Sequence, residues 1–81
     1  MKDIVHLYYK RTFPEYTILV QVNPVDYTGI ELTVLADGSV EKRELQFDEE
    51  IEADLETDDF RPSSPLEFNI YLKGLRGSTP L

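Results

Sequence analysis

The segment SSPLEFNIYLKGL, residues 63–75, decides the fold because it fits two different secondary structures. As a helix, it has Ser64 as a suitable N-cap, Pro65 at the first helical position, and Glu67 to complete a Ser-x-x-Glu capping box. Gly74 stands where a left-handed residue would end that helix. Together these signals predict a helix that starts at Pro65 and ends before Gly74.

The alternation of the same segment also fits a strand, because Leu66, Phe68, Ile70 and Leu72 occupy every second position. A strand gives no reason for the capping residues, so we favour the helix. In the helix, one apolar stripe is formed by Phe68, Tyr71, Leu72 and Leu75. Leu66 and Ile70 form a second stripe on nearly the opposite side, so the helix must be covered on two sides.

The second stripe, Leu66 and Ile70, is the predicted interface of a symmetric homodimer. A chain of 81 residues has little second layer with which to cover it, and a two-fold dimer gives each subunit the apolar patch of the other. The alternative is that an acidic helix of the same chain lays Ile51 and Leu55 over the stripe.

The first half of the chain predicts an antiparallel meander of four strands. Its segments are rich in β-branched and aromatic residues that alternate. Asp37-Gly38, between the last two segments, is typical of a hairpin. Val40 falls on the opposite parity to Leu45 and Phe47, so we expect a bulge near residues 41–44. The predicted strands are 4–9, 16–22, 30–36 and 39–47.

A short acidic helix is predicted between the meander and the last helix, over residues 48–58. Phe47, Ile51 and Leu55 are four residues apart, and Asp48 is a candidate N-cap. The predicted fold class is therefore α+β, with a four-stranded meander followed by two short helices on one face of the sheet. The alternative is an all-β barrel or sandwich. We expect one domain over 1–75 and a flexible tail over 76–81.

The excess negative charge lies in one segment of the chain. The net charge is −8, and nine of the sixteen acids lie between Glu44 and Asp59 with no base among them. A protein that binds DNA or RNA directly needs lysine and arginine for the phosphates, so this class is disfavoured. An acidic segment suits a protein partner with a basic surface, or else serves as a solvated face that maintains solubility.

The predicted partner-binding residues are six of these acids and two tyrosines. Adjacent tyrosines in a strand point to opposite faces, so at least one meets solvent or a partner unless its hydroxyl sits at the core margin. The predicted set is Glu49, Glu52, Asp54, Glu56, Asp58, Asp59, Tyr8 and Tyr9.

The sequence offers little for catalysis or metal binding. There is no cysteine, and His6 is the one histidine, so no transition-metal ligand set is expected. Asp54, Asp58 and Asp59 lack the spacing of an EF-hand loop. No phosphate-binding glycine loop or activated nucleophile motif occurs. We therefore expect no catalytic residues, no metal and no cofactor.

The sequence favours a small, bacterial-type, cytoplasmic interaction or regulatory module without catalytic activity. Its expected partner is a protein with a basic surface, with a homodimer as a further possibility and with no direct nucleic-acid or membrane binding. Two alternatives belong to other classes. One is a nucleic-acid mimic that inhibits a DNA-binding protein, and the other is a small enzyme subunit that uses His6.

Overall fold

The computed structural model describes residues 5–77, with side chains described for residues 5–73. It confirms the α+β class and the meander, so the all-β alternative is wrong. The sheet is antiparallel, with strand order β4-β3-β2-β1-β5. In chain order the elements are β1 (Leu7–Thr12), β2 (Tyr16–Val22), β3 (Thr28–Leu35), β4 (Val40–Gln46), α1 (Ile51–Thr57), β5 (Arg61–Pro62) and α2 (Pro65–Gly77).

Strand β1 lies further along the chain than its apolar residues predict. It pairs with β2 as far as Thr12 opposite Thr17, and so includes Lys10 and Arg11. Both charges have partners outside the strand, because Lys10 forms an ion pair with α2 and Arg11 bonds to the end of α1. The two positive side chains are tolerated inside the strand because each has an acceptor on or beside a helix. Lys10 binds a carboxylate, and Arg11 binds a backbone carbonyl.

The two helices pack on opposite faces of the sheet, so the prediction that both lie on one face is wrong. Leu55 of α1 joins a buried cluster with Val20, whereas Phe68 of α2 joins a separate cluster with Leu19 and Leu32. Successive residues of a strand point to opposite faces. Because β2 is apolar at both Leu19 and Val20, each face needs its own cover.

Strand β4 has no bulge, so that prediction is also wrong. Its pairing with β3 is continuous from Val40 opposite Val34 to Gln46 opposite Thr28. Val40 packs on the face covered by α2, and Phe47, just after the strand, packs on the face covered by α1. Since both faces are covered, apolar residues of opposite parity need no bulge.

The predicted hairpin between β3 and β4 is confirmed. Gly38 has a φ of 92°, which favours glycine, and its N–H donates to the Leu35 carbonyl at 2.9 Å. The Asp37 carboxylate accepts the Ser39 N–H at 2.9 Å. The loop between the two strands spans residues 36–39, and its left-handed residue is the predicted glycine.

Helix α2 begins as predicted and ends later. The Ser64 hydroxyl accepts the Glu67 N–H at 3.1 Å, which is the first half of a capping box. The helix continues through Gly74 to Gly77, so the predicted end is wrong. A glycine inside a helix costs about 1 kcal/mol but does not force it to stop. Residues 76 and 77 of the predicted tail are helical, and 78–81 lie outside the described residues.

The two edges of the sheet are protected in different ways. β5 is two residues long and contains Pro62, which has no N–H to offer a further strand. β4 carries a run of charged residues, Glu41 to Glu44, which disfavours pairing with unrelated strands.

Candidate functional site

The candidate site is an acidic face on α1 and its two ends. All six predicted acids are exposed to solvent. In the sequence no base lies between Arg43 and Arg61, so the segment carries negative charge alone. We define the acidic face as Glu49, Glu52, Asp54, Glu56, Asp58 and Asp59.

Two apolar side chains hold α1 against the sheet. Leu55 is 7% exposed and Ile51 is half-buried, and both pack in the cluster that contains Tyr9 and Val20. The remaining positions of this short helix point to water. The stripe predicted from Ile51 and Leu55 is therefore correct, and it directs the carboxylates outward.

The start of α1 differs from the prediction. The N-cap is Glu50, without a side-chain capping bond, and the helix begins at Ile51. Asp48 instead accepts the Glu50 N–H at 3.0 Å through its own carboxylate, and its carbonyl accepts the Ile51 N–H at 3.1 Å. Asp48 thus forms a local turn before the helix, because its side chain reaches the backbone two residues on.

The end of α1 is a Schellman motif with an aspartate at the left-handed position. The Phe60 N–H donates to the Leu55 carbonyl at 2.9 Å, and the Asp59 N–H donates to the Glu56 carbonyl at 3.1 Å. Asp59 has a φ of 65°. Phe60 and Leu55 share the same apolar cluster, as this motif requires. The motif fixes where the last two acids of the face lie.

Arg11 of β1 supplies the cation that α1 itself lacks. The last turn of α1 has no base, although a helix C-terminus favours positive charge. Arg11 Nη1 donates to the Asp58 carbonyl oxygen at 2.7 Å, and its guanidinium lies 4.4 Å from the centroid of the Phe13 ring. The contact joins residues 47 positions apart, and no local pattern in the sequence predicts it. The signal in the sequence was the absence of any base from 44 to 59, because a helix C-terminus in that segment then needs a cation from elsewhere in the chain.

The two predicted tyrosines point to opposite faces of the sheet. Tyr8 packs on the α2 side, with its ring 5.4 Å from that of Phe68, and its hydroxyl accepts a bond from Gln21 Nε2 at 2.9 Å. Tyr9 is 7% exposed and lies in the cluster under α1. A ring buried to that degree offers little surface to a partner, so Tyr9 is not part of the acidic face.

The Tyr9 hydroxyl is influenced by the acidic face above it. Burial, followed by the negative charges of Glu52 and Glu56, raises the pKa of Tyr9 above its ordinary value. Both effects disfavour the phenolate. Burial and the charge of the acidic face therefore act in the same direction on the pKa of Tyr9.

His6 lines a concavity of about 460 Å³ at one end of the face covered by α2. Glu44 lines it too, but His6 precedes β1 and Glu44 lies in β4, with β2 and β3 between them. Their backbones are thus about three strand spacings apart, roughly 14 Å. No described carboxylate accepts a hydrogen bond from His6. His6 and Glu44 therefore line the same concavity without a hydrogen bond between them.

The described side chains do not assemble a metal site. Within residues 5–73, no three His, Asp or Glu side chains are grouped so that they could hold an ion. Asp54, Asp58 and Asp59 are exposed in the second half and at the end of α1.

The second apolar stripe of α2 is exposed. Leu66 is 71% exposed and Ile70 is 58% exposed, whereas Phe68 is buried against the sheet. Tyr71 and Leu72 pack beside Phe68, as predicted. The side chain of Leu75, the fourth member of that stripe, lies outside the described residues. We refer to Leu66 and Ile70 as the outer stripe.

Comparison of the chain with protein-family models, with curated proteins and with solved structures found no match in any of the three. Neither helix of the described residues combines the length and apolar character needed to cross a membrane.

Proposed function

We propose that the protein is a non-catalytic interaction module whose acidic face binds a basic surface of a protein partner. The observation that carries this proposal is the exposed row of carboxylates on α1 with no base among them. Complementary charge accelerates association and selects partners of opposite sign.

Among residues 5–73, the carboxylates of the acidic face form no ion pair, and Glu52 and Glu56 lie close enough to Tyr9 to raise its pKa. The ion pairs among described residues involve Glu67, Glu44 and Glu31, none of which belongs to the face. An exposed acid without an internal counter-ion adds little to stability. Six exposed acids within residues 49–59, three of them on α1, repel one another, and a basic partner would relieve that repulsion.

The position of α1 also suits a binding surface. Leu55 and Phe60 fix the end of the helix, and Arg11 bonds to its last turn. The backbone that carries the acids is therefore set before any partner arrives, which lowers the entropy cost of binding. A cytoplasmic location and the absence of catalysis remain parts of this proposal.

The test is a charge-reversal experiment with a matched control. The double variant Glu52→Lys and Glu56→Lys reverses the centre of the acidic face. The control variant Glu15→Lys and Glu41→Lys makes the same change in net charge at exposed positions outside the face. Each immobilised protein is used to capture partners from cell extract. The affinity of the captured protein is then measured at about 50 mM and about 300 mM salt.

The proposal expects a captured protein with a basic surface that binds wild type and the control but loses binding to the reversed face. Its affinity should fall as salt rises. Equal binding by the two double variants would refute the acidic face as the binding surface. If the captured protein binds DNA, and duplex DNA displaces it from the acidic face, the nucleic-acid mimic is the correct form of the proposal.

A further inference from the structure

We propose that a second copy of this chain covers the outer stripe of α2 in a two-fold dimer. The stripe presents two large apolar side chains, Leu66 and Ile70, at 71% and 58% exposure one helical turn apart. Neighbouring apolar residues exposed on a single helix face favour a contact with another surface.

The chain does not cover this stripe with its other helix. Ile51 and Leu55 of α1 pack against the far face of the sheet, in the cluster with Tyr9. The alternative in which the acidic helix lies over Leu66 and Ile70 is therefore wrong. Among residues 5–73, the outer stripe remains open to solvent.

The distribution of charge favours a second copy at this position. The acidic face lies with α1 on the opposite side of the sheet, so two copies that meet through α2 keep their acidic faces apart. On α2 itself, Glu67 is neutralised by Lys10 at 3.0 Å, and the other described charge is that of Lys73. Two chains of net charge −8 thus meet where they repel least.

The outer stripe is also self-complementary. When two helices pack antiparallel about a two-fold axis at the level of Phe68, Leu66 of each copy faces Ile70 of the other. The same two residues of each copy form both sides of the interface. The stripe is short, so the buried area falls at the low end for specific interfaces, and association should be weak, roughly in the tens of micromolar.

The dimer would display two acidic faces pointing away from each other. A partner with two basic sites, or an array of them, would then be held by both faces, with a gain in avidity over one. Only this bivalent display rests on the proposed function. The dimer itself rests on the outer stripe and on the distribution of charge.

The test is sedimentation equilibrium from about 10 to about 500 μM, a range that brackets the expected affinity. It compares wild type with Leu66→Glu and Ile70→Glu. Val25→Glu is the matched control, since Val25 is also 71% exposed and apolar but lies in the loop between β2 and β3. All three variants change exposed side chains, and thermal unfolding by circular dichroism confirms that each is folded.

The proposal expects wild type and the Val25 variant to approach the dimer mass, while both α2 variants stay monomeric. The dimer should strengthen as salt rises, because salt screens repulsion between the copies. Binding of a basic partner should weaken over the same range, so failure of one proposal is distinguishable from failure of the other. A monomeric wild type, or a dimer that survives both α2 substitutions, would overturn the inference.

Discussion

The Lys10 ammonium lies 3.0 Å from the Glu67 carboxylate, an ion pair between β1 and the first turn of α2. Glu67 Oε1 also accepts a bond from the Ser63 hydroxyl at 3.1 Å. In a capping box this carboxylate would turn back to the N–H of Ser64. Here it binds a strand 57 positions earlier, so the start of the helix is fixed to the sheet as well as capped.

Replacing Ser64 with Ala should lower the free energy of unfolding by about 1 kcal/mol, because the Glu67 N–H loses its capping acceptor. Urea unfolding measures the change. Ser63→Ala is the control. The Ser63 hydroxyl donates only to the partly exposed Glu67 side chain, so its removal should lower the free energy of unfolding by less. Equal losses in the two variants would contradict a capping role for Ser64.

Asp59→Gly should stabilise the protein by roughly 0.5–1 kcal/mol, because glycine adopts the left-handed conformation without the Cβ penalty. The change also removes a negative charge from a helix C-terminus, which favours cations. Asp58→Gly removes the same charge at an ordinary φ of −89° and should give no such gain. If both variants melt alike, the backbone conformation of Asp59 carries no strain.

Gly29→Ala should destabilise the fold by roughly 1–3 kcal/mol, the usual range for overpacking. A Cβ at Gly29 would meet both the Phe47 ring and the backbone carbonyl of Gln21. The ring can move, but the carbonyl belongs to β2. Adding Phe47→Leu should restore part of the loss in a double-mutant cycle. Strictly additive effects, measured by urea unfolding, would show that the ring and the new methyl group do not meet.

The stability of the fold should depend on the ionisation of Tyr9 at high pH. Its pKa is raised in the folded protein, chiefly by burial and then by Glu52 and Glu56. The stabilising effect of a raised pKa is complete below the unfolded value, near 10, and is lost as pH rises from there through the folded value. Urea unfolding between about pH 8 and about pH 11 measures this effect. The free energy of unfolding should fall more steeply with pH for wild type than for the Tyr9→Phe variant.

A second variant connects that effect to the acidic face. Glu52→Gln with Glu56→Gln removes two of the charges that raise the pKa of Tyr9, so its phenolate should form at lower pH. Ultraviolet absorbance reports phenolate formation as pH rises. In wild type and in the Glu52/Glu56 variant alike, subtracting the curve of the same background carrying Tyr9→Phe isolates the Tyr9 hydroxyl. An unchanged midpoint would mean that burial alone sets the pKa.

The sequence was most informative where a structure depends on neighbouring residues. Ser64 and Pro65 act within one turn, and Asp37 and Gly38 act within one loop, so both features were predictable. The face that each helix covers depends on long-range pairing. The clue was the run of Ile18, Leu19 and Val20, which is typical of a strand buried on both sides.

Contacts between distant residues account for the rest of what was missed. Arg11 reaches α1 and Lys10 reaches α2, and no local pattern marks either as a partner of a helix. The acidic face was predictable because surface charge depends little on pairing. The burial of Tyr9 was not, since two adjacent tyrosines are equivalent until the register of β1 and the side of α1 are both known.

Because α1 spans seven residues and contributes only Ile51 and Leu55 to the core, we expect rare local openings of this helix from its fixed position while the rest stays folded. β5 and α2 keep their own attachments to β1 and the opposite face, so opening of α1 need not disturb them. Local openings of this kind lie well below the global free energy of unfolding. Amide protons of α1 should accordingly exchange with deuterium sooner than those of β2 and β3. A partner that requires the helical form of α1 would slow that exchange, so deuterium uptake reports binding without any label on the partner.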